Sequence, residues 1–188
     1  SHGRAVPLLP ILQMSRGFFG VNEADDPATA RQKIAGSLVL LDEEFQEDIP
    51  LACDFLQVPD PERPPPPMDA EIRQRRIQEF LRRLVEARSN RQPGVLLFDD
   101  LHGIDPESES FLASLVPTMG GTRTLLVTNL RPEYEAPWRT RPDYQQIALS
   151  PLGRAEAKAL AEHLLGADPS VSDLRERVVE RSGGNPFF

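Results

Sequence analysis

The sequence predicts an α/β protein in which parallel strands are combined with several helices. Two short apolar runs, residues 95–98 and 124–128, have the length and composition of strands buried inside a parallel sheet. The segment between them has helical periodicity, which makes a strand–helix–strand unit with a right-handed crossover. Amphipathic helical patterns precede and follow this unit, so we expect helices on either side of it in the chain.

The first part of the chain is expected to be helical. Apolar residues at near-helical spacing cover residues 7–19. Asp26 and Pro27 then provide an N-cap and a proline at the first helical position. A further amphipathic pattern covers residues 43–58, and Pro50 is expected to split it. No chemistry is visible in this helical part.

A proline-rich segment and a long helix come next. Residues 59–67, which end in four consecutive prolines, form a stiff connector of the polyproline type. It is either a docking ligand for an aromatic groove or a rigid spacer inside one domain, and we favour the spacer. Asp69 then caps a helix with a basic outer side. Its apolar positions on one face are Ile77, Phe80, Leu81 and Leu84.

Two carboxylates, Asp99 and Asp100, directly follow the first predicted strand. Open α/β sheets bind ligands at the carboxyl ends of their strands. Carboxylate oxygens there suit Mg²⁺ and a water molecule next to a phosphate, as in a Walker B element. The alternative from these residues alone is a core strand that ends in a solvated acidic turn.

Polar residues also follow the second predicted strand, where Asn129 and Arg131 occupy the corresponding edge of the sheet. Residues 146–149 are expected to form a third strand. Two helices over residues 154–165 and 171–182 are then expected to form a small lid. The helix between the first two strands begins at an Asp-Pro-Glu sequence, which supplies a cap, a proline and a first-turn acid.

Composition narrows the class of protein. The 188 residues include 39% hydrophobic and 27% charged residues, as in an ordinary globular domain. A net charge of −8 argues against direct binding of duplex nucleic acid, which needs a basic surface. The single Cys53 can form no internal disulfide, so we expect a reducing, cytoplasmic setting. No apolar run is long enough for a membrane span, and we expect no membrane partner.

The lysines exclude a phosphate-binding loop within these residues. Such a loop needs a glycine-rich run followed by Lys and then Ser or Thr. Lys33 and Lys158 are the only lysines, and neither follows such a run. Either the Walker B interpretation is wrong, or the loop lies upstream of Ser1. The apolar character of both ends favours the second explanation, so we expect this chain to be a fragment that hydrolyses ATP poorly or not at all.

Five stretches, spread from the first ten residues to the last five, resemble one family. They are Pro7-Leu8-Leu9-Pro10-Ile11-Leu12, Asp25-Asp26-Pro27-Ala28-Thr29-Ala30-Arg31, Asp99-Asp100-Leu101-His102, Asn129-Leu130-Arg131-Pro132-Glu133-Tyr134 and Gly184-Asn185-Pro186-Phe187-Phe188. Together they are similar to the AAA-related P-loop signalling ATPases of the STAND class. The closest resemblance is to the ATPase region that follows the cyclase domain in multidomain bacterial class III adenylate cyclases.

The resemblance implies a role for several residues. Asp99 would hold Mg²⁺ through water, and Asp100 would polarise the attacking water. Arg131 would be a sensor of the γ-phosphate, a task that suits its planar, permanently charged head. His102 and Asp105 would support the sensor turn, and His102 would also belong to the nucleotide-binding residues.

Two further positions would contact the nucleotide, ATP or ADP. Asn129 lies on the strand that leads to the sensor arginine, and Pro186 would pack near the adenine and report the nucleotide state to the lid.

The sequence also departs from the family. Gly103 stands where relatives usually carry Trp, and Asp99 stands where relatives often carry Glu.

The combined prediction is a partial P-loop NTPase with a three-layer parallel sheet, a helical insert and a C-terminal helical lid. Residues 1–150 would be the truncated core, with the insert at 1–58, the connector at 59–68 and the Walker B and sensor part at 69–150. Residues 151–188 would be the lid.

The expected function is a regulatory ATP-binding and ATP-hydrolysing switch that controls an attached effector domain, which the resemblance implies is an adenylate cyclase. The alternatives are a catalytically inactive interaction scaffold, which could form homo-oligomers, and the ATPase part of a large transcription regulator.

Overall fold

The computed structural model describes residues 8–187, which form a helix-rich α/β structure with one two-stranded parallel sheet. The chain divides into two compact units, Ser1–Tyr144 and Gln145–Phe188, and each is described by itself. In chain order the elements are α1 (Leu9–Phe18), α2 (Pro27–Leu41), α3 (Ile49–Phe55), α4 (Ala70–Arg91), β1 (Gly94–Phe98), α5 (Pro106–Met119), β2 (Thr124–Thr128), α6 (Arg154–Leu165) and α7 (Ser172–Ser182).

The predicted helix starts are confirmed by their capping hydrogen bonds. The Asp26 carboxylate accepts from the N–H groups of Ala28 and Thr29, both at 2.9 Å. Asp69 caps α4 and Asp105 caps α5 in the same manner, at 2.8 and 2.9 Å. Each aspartate satisfies donors that the first turn of a helix leaves without an intrahelical partner.

The amphipathic stretch after α2 is split, as expected, but before Pro50 rather than at it. Glu43–Asp48 forms a 3₁₀ helix, and α3 begins at Ile49 with Pro50 in its first turn. Proline is tolerated there because the first N–H groups of a helix have no intrahelical acceptor.

The core of the first unit lies between its helices. Phe45 and Phe80 meet edge to face with ring centroids 6.1 Å apart. The apolar residues predicted on the inner side of α4 are buried, which confirms that prediction. The largest fully buried apolar side chains of the described residues are Phe80, Phe111, Ile11, Ile34, Leu38, Leu56, Leu101, Leu112 and Leu115.

The sheet confirms the strand–helix–strand prediction. Strand β1 pairs with β2 in parallel, with Gly94 opposite Thr124 and Phe98 opposite Thr128. Helix α5 connects the two strands, as a parallel pair requires. The carboxyl ends of both strands therefore lie at the same edge of the sheet.

The prediction that both strands are fully buried is wrong. Val95 and Leu97 of β1 are 65% and 70% exposed, and Leu125 and Val127 of β2 are 59% and 40% exposed. The alternate residues on the other face pack against the core, and among them Phe98 is buried. Successive side chains of a strand point to opposite faces, and the described helices cover only one of them.

The predicted third strand is also absent from the described residues. Residues 146–149 form neither strand nor helix, and Ile147 and Leu149 are 84% and 91% exposed. A strand exists only as part of a ladder, and a short apolar run does not by itself bring a partner strand into place.

The second unit consists of α6, a 3₁₀ turn at Pro169–Val171, and α7, which confirms the two predicted helices. Its ends are joined by a backbone hydrogen bond, in which the Leu152 N–H donates to the Gly184 carbonyl at 2.8 Å. Gly184 has φ +84, a value that glycine adopts without strain.

Candidate functional site

The two carboxylates predicted to act on a nucleotide stand in the turn that follows β1. Asp99 and Asp100 are both exposed at the carboxyl edge of the sheet. Asp100 adopts the left-handed conformation, with φ 53 and ψ 44. This conformation is uncommon outside glycine, although Asp and Asn tolerate it better than other residues. The chain then enters a 3₁₀ turn, Leu101–Gly103, which the buried Leu101 anchors in the core.

Asn129, the first residue after β2, connects this turn to the neighbouring strand. Its Nδ2 donates a hydrogen bond to Oδ1 of Asp99, and its Oδ1 accepts from the Asp100 N–H at 2.5 Å. Its backbone carbonyl accepts from the Leu101 N–H at 3.0 Å, and its N–H donates to the Phe98 carbonyl at 3.2 Å. One residue therefore holds both the Asp99 carboxylate and the Asp100 backbone.

His102 lies beside the acidic pair and is mostly buried. Its Nδ1 is enclosed and has no hydrogen-bond partner within the described part of the chain. The nearest carboxylate oxygen is Oδ1 of Asp100, 4.0 Å away, which is too far for a hydrogen bond. His102 is therefore part of the turn but does not hold either carboxylate.

Asp105 follows the 3₁₀ turn and caps the start of α5. Its Oδ1 accepts from the N–H groups of Ser108 at 2.9 Å and Leu8 at 3.4 Å, which ties the start of α5 to the start of α1. Partial burial works to raise the pKa of the Asp105 carboxyl, but the hydrogen bonds outweigh it, and the pKa lies below its ordinary value. Asp105 is thus ionised and structural.

Arg131 lies two residues beyond Asn129 and is exposed. Its guanidinium makes no ion pair among residues 8–187, and its backbone carbonyl accepts from the Tyr134 N–H at 3.0 Å. The Tyr134 hydroxyl donates to Oε1 of Glu109 on α5. Burial, followed by this hydrogen bond to a carboxylate, raises the pKa of the Tyr134 phenol. The turn that carries Arg131 is therefore fastened to α5.

Pro186 belongs to the second unit, where it follows α7 in an exposed turn. It lines a small cavity of about 40 Å³ between α6 and α7, together with apolar residues such as Leu160 and Val179. This volume is that of a water molecule or two and is too small for a nucleotide base. The turn is shaped by the left-handed Gly183 and by Gly184.

The described residues do not contain a preformed metal centre. Among residues 8–187, no group of three or more His, Cys, Asp or Glu side chains could hold a metal ion by itself. Asp99 and Asp100 nevertheless fit the hard oxygen chemistry of Mg²⁺, which is commonly bound by one or two carboxylates together with substrate phosphates and water. The two carboxylates would supply part of the ligands of such an ion, and substrate phosphates and water would supply the rest.

The structure brings four of the predicted site residues together at the carboxyl edge of the sheet. These are Asp99, Asp100 and His102 after β1, and Asn129 after β2. The contact between Tyr134 and Glu109 was not predicted. These residues are 25 positions apart, and no local pattern in the sequence indicates that they meet.

No family model matches the chain, and no solved structure matches it. An uncharacterized protein of Rhizobium meliloti (strain 1021) is 34% identical over 122 residues, which cover 62% of this chain and 12% of that protein. The chain thus corresponds to a small part of this relative. Within residues 8–187, none of the helices has both the length and the apolarity that crossing a membrane requires.

Proposed function

We propose that this chain supplies the acidic and sensor half of a magnesium–nucleotide site in a regulatory ATPase of the STAND class. One observation carries the proposal. The amide of Asn129 holds Asp99 and Asp100 at the shared carboxyl edge of two parallel strands, which is where open α/β sheets bind their ligands. In the intact protein the sheet would be the centre of a three-layer P-loop fold, with residues 151–188 as its lid.

Each residue would have a distinct task at that site. Asp99 would hold a Mg²⁺ ion through water, and the ion would neutralise phosphate charge. Asp100 would accept a hydrogen bond from the attacking water and so orient it. Arg131, with a guanidinium free of carboxylate partners among residues 8–187, would contact the γ-phosphate of ATP and be released by ADP. Pro186 would respond from the lid.

The phosphate-binding loop would be supplied by chain upstream of Ser1. The isolated chain is then inactive, and the whole protein couples the nucleotide switch to an effector domain, for which we propose an adenylate cyclase. The same ATPase part in a transcription regulator is the alternative within this class. In both cases we propose a cytoplasmic protein that makes no direct contact with nucleic acid through these residues.

A second candidate function, an interaction scaffold without catalysis, is favoured by a different observation. Four apolar side chains of the sheet, including Val95 and Leu97, are exposed to solvent. Contiguous apolar surface of this kind marks sites of protein association. A scaffold would need neither Asp99 nor Asp100.

A nucleotide-binding experiment distinguishes the ATPase from the scaffold. The test uses the natural protein extended upstream by roughly a hundred residues, enough to complete a domain of ordinary size. We expect Mg²⁺-dependent ATP binding by calorimetry and measurable release of phosphate. Asp100→Asn keeps a residue that tolerates the left-handed conformation, and it is expected to reduce turnover by about a hundredfold or more.

The matched control is Asp173→Asn, which removes an exposed carboxylate from the first turn of α7. It should leave turnover unchanged. An extended protein that folds but binds no ATP at millimolar concentration would contradict the ATPase proposal and favour the scaffold.

A further inference from the structure

Arg131 begins a β-turn over residues 131–134, which we call the Arg131 turn. The Tyr134 N–H donates to the Arg131 carbonyl at 3.0 Å, which is the hydrogen bond that closes such a turn. Pro132 occupies the second position, where the fixed φ of proline favours the turn. The local sequence therefore reverses the chain, but an exposed turn needs contacts with the rest of the fold to hold one position.

The chain is attached to the first unit on the amino side of Arg131. The Asn129 N–H donates to the Phe98 carbonyl at 3.2 Å, and the Asn129 amide donates to the Asp99 carboxylate. Leu130, which lies between Asn129 and Arg131, packs against the core. The residues that lead into the Arg131 turn are therefore fixed to the end of β1.

The attachment on the carboxyl side is the side chain of Tyr134. The Tyr134 side chain packs against the core, and its hydroxyl donates to Oε1 of Glu109. A hydrogen bond from a hydroxyl to a carboxylate is among the stronger kinds in proteins. Glu109 belongs to the first turn of α5, where its N–H donates to the Asp105 carbonyl at 2.9 Å. The Arg131 turn is therefore held to the helix start that follows the 3₁₀ turn.

These two attachments enclose Arg131 between fixed points, while its side chain stays exposed. The guanidinium makes no ion pair among residues 8–187. An arginine side chain loses conformational entropy when its guanidinium binds an anion. A backbone that is already fixed lowers the total cost of ordering, because less of the chain has to be immobilised on binding. The arrangement combines a held backbone with a free charged group.

We infer that Tyr134 is a positioning residue for Arg131, and that Glu109 acts with it by accepting the Tyr134 hydrogen bond. The pair holds the Arg131 turn in the place from which the guanidinium contacts the γ-phosphate of ATP. This inference rests on the proposed function, because it concerns how the sensor arginine of that site is placed. It adds that the discrimination between ATP and ADP depends on a hydrogen bond to α5.

A positioning role differs from a purely stabilising role in its effect on the two nucleotides. ADP has no γ-phosphate, so a displaced Arg131 lowers the affinity for ATP and leaves the affinity for ADP unchanged. General destabilisation of the fold would affect the binding of both nucleotides alike. The ratio of the two affinities therefore reports on the position of Arg131 separately from the stability of the fold.

The test uses the natural protein extended upstream by roughly a hundred residues. Calorimetry measures the binding of a non-hydrolysable ATP analogue and of ADP in the presence of Mg²⁺. Tyr134→Phe keeps the ring and removes the donor. It should weaken binding of the ATP analogue by about fivefold and change ADP binding by less than about twofold. Far-ultraviolet circular dichroism confirms that each variant is folded.

Three further variants make the comparison specific to this hydrogen bond. Glu109→Ala removes the acceptor and should have the same effect as Tyr134→Phe. Glu109→Gln keeps an acceptor oxygen and should retain most of the affinity for the ATP analogue. Tyr144→Phe is the matched control, because the Tyr144 hydroxyl makes no hydrogen bond among residues 8–187, and it should change neither affinity.

A double-mutant cycle shows whether Tyr134 acts through Arg131. Arg131→Ala removes the guanidinium and should weaken binding of the ATP analogue by at least about tenfold. Adding Tyr134→Phe to Arg131→Ala should then change the affinity by less than about twofold, because no guanidinium is left to position. Two independent effects would instead multiply.

A measurement without nucleotide tests the rigidity of the turn in the 188-residue chain. The NMR relaxation of the backbone amides of Arg131, Glu133 and Tyr134 should give order parameters of about 0.85, as in a rigid backbone. Tyr144→Phe should give the same values. In Tyr134→Phe the order parameters should fall to about 0.6 or lower, which is the range of a flexible backbone.

Three results would overturn the inference and leave the proposed function intact. They are an equal loss of affinity for the ATP analogue and ADP in Tyr134→Phe, an undiminished effect of Tyr134→Phe in the Arg131→Ala background, and an Arg131 turn that stays rigid in Tyr134→Phe. An extended protein that folds but binds neither nucleotide would overturn the proposed function and the inference together.

Discussion

The side-chain amide of Asn129 binds the carboxylate of Asp99 through Nδ2 and the backbone N–H of Asp100 through Oδ1. A single planar group thus connects the end of β2 to both acids that follow β1. The consequence is that the left-handed conformation of Asp100 is supported by the neighbouring strand and not by the turn alone. Local strain of this type persists only where the surroundings maintain it.

Removing this amide should loosen the turn. Asn129→Ala breaks both hydrogen bonds, and because the residue is exposed we expect a loss of about 1 kcal/mol in the free energy of unfolding. The change is measured by urea denaturation, with the fluorescence of Trp138 as the signal. Trp138 is the single tryptophan of the sequence and is buried. Asn90→Ala removes an exposed amide at the end of α4 and should change stability by less than about 0.5 kcal/mol. Equal denaturation midpoints for the two variants would contradict the role of Asn129.

The hydrogen bond from the Tyr134 hydroxyl to Glu109 should stabilise the folded chain. Tyr134→Phe keeps the ring and removes the donor, so we expect a loss of about 1 to 1.5 kcal/mol in the free energy of unfolding. Tyr144→Phe is the control, because the Tyr144 hydroxyl makes no hydrogen bond among residues 8–187. Thermal unfolding measures the stability of both variants. An equal loss in Tyr134→Phe and Tyr144→Phe would contradict a stabilising role for the Tyr134 hydroxyl.

Cys53 should make stability fall at alkaline pH. The side chain is 1% exposed, and burial raises the pKa of its thiol to about 11 from an ordinary value of 9.0. The native state therefore keeps this proton to higher pH than the unfolded chain. As the pH rises from 9 towards 11, the thiol ionises first in the unfolded chain, which favours unfolding. The free energy of unfolding should therefore fall by up to about 1.4 kcal/mol per pH unit.

This alkaline loss is measured by urea denaturation of the native chain and of Cys53→Ala between pH 8 and 11. The variant starts at lower stability because it leaves a small cavity, but its curve should lack the slope that the thiol causes. In agreement, Ellman's reagent should modify Cys53 slowly at pH 8 until the chain is unfolded. Rapid modification of the folded chain would contradict the burial of the thiol.

Gly184 should be intolerant of any side chain. A Cβ at this position would collide with the Leu152 carbonyl oxygen, and φ +84 is itself strained for other residues. Gly184→Ala should therefore lower the free energy of opening of the second unit by about 2 kcal/mol or more. Gly183→Ala is the matched control, since Gly183 is in the left-handed region with φ 55 and ψ 24 but has open space around it, and it should cost only about 1 kcal/mol. Hydrogen exchange of the amides in α6 and α7 measures both changes.

The sequence predicted the local structure well. Asp26, Asp69 and Asp105 each begin a helix as expected, because a cap is decided by a side chain and the N–H groups two or three residues beyond it. The parallel pairing of residues 95–98 with 124–128 was also predictable, since an intervening helix leaves little choice of topology. The same topology placed Asp99 and Asn129 at one edge of the sheet.

Tertiary structure alone decided the remaining features. Which face of a strand is covered depends on the elements that pack on it, so the apolar runs could not show that Val95 and Leu97 are exposed. A third strand exists only where it pairs with another strand, and residues 146–149 belong to no ladder among the described residues. Local propensity acts over a few residues, whereas burial and strand pairing depend on groups that are distant in the chain and meet only when it folds.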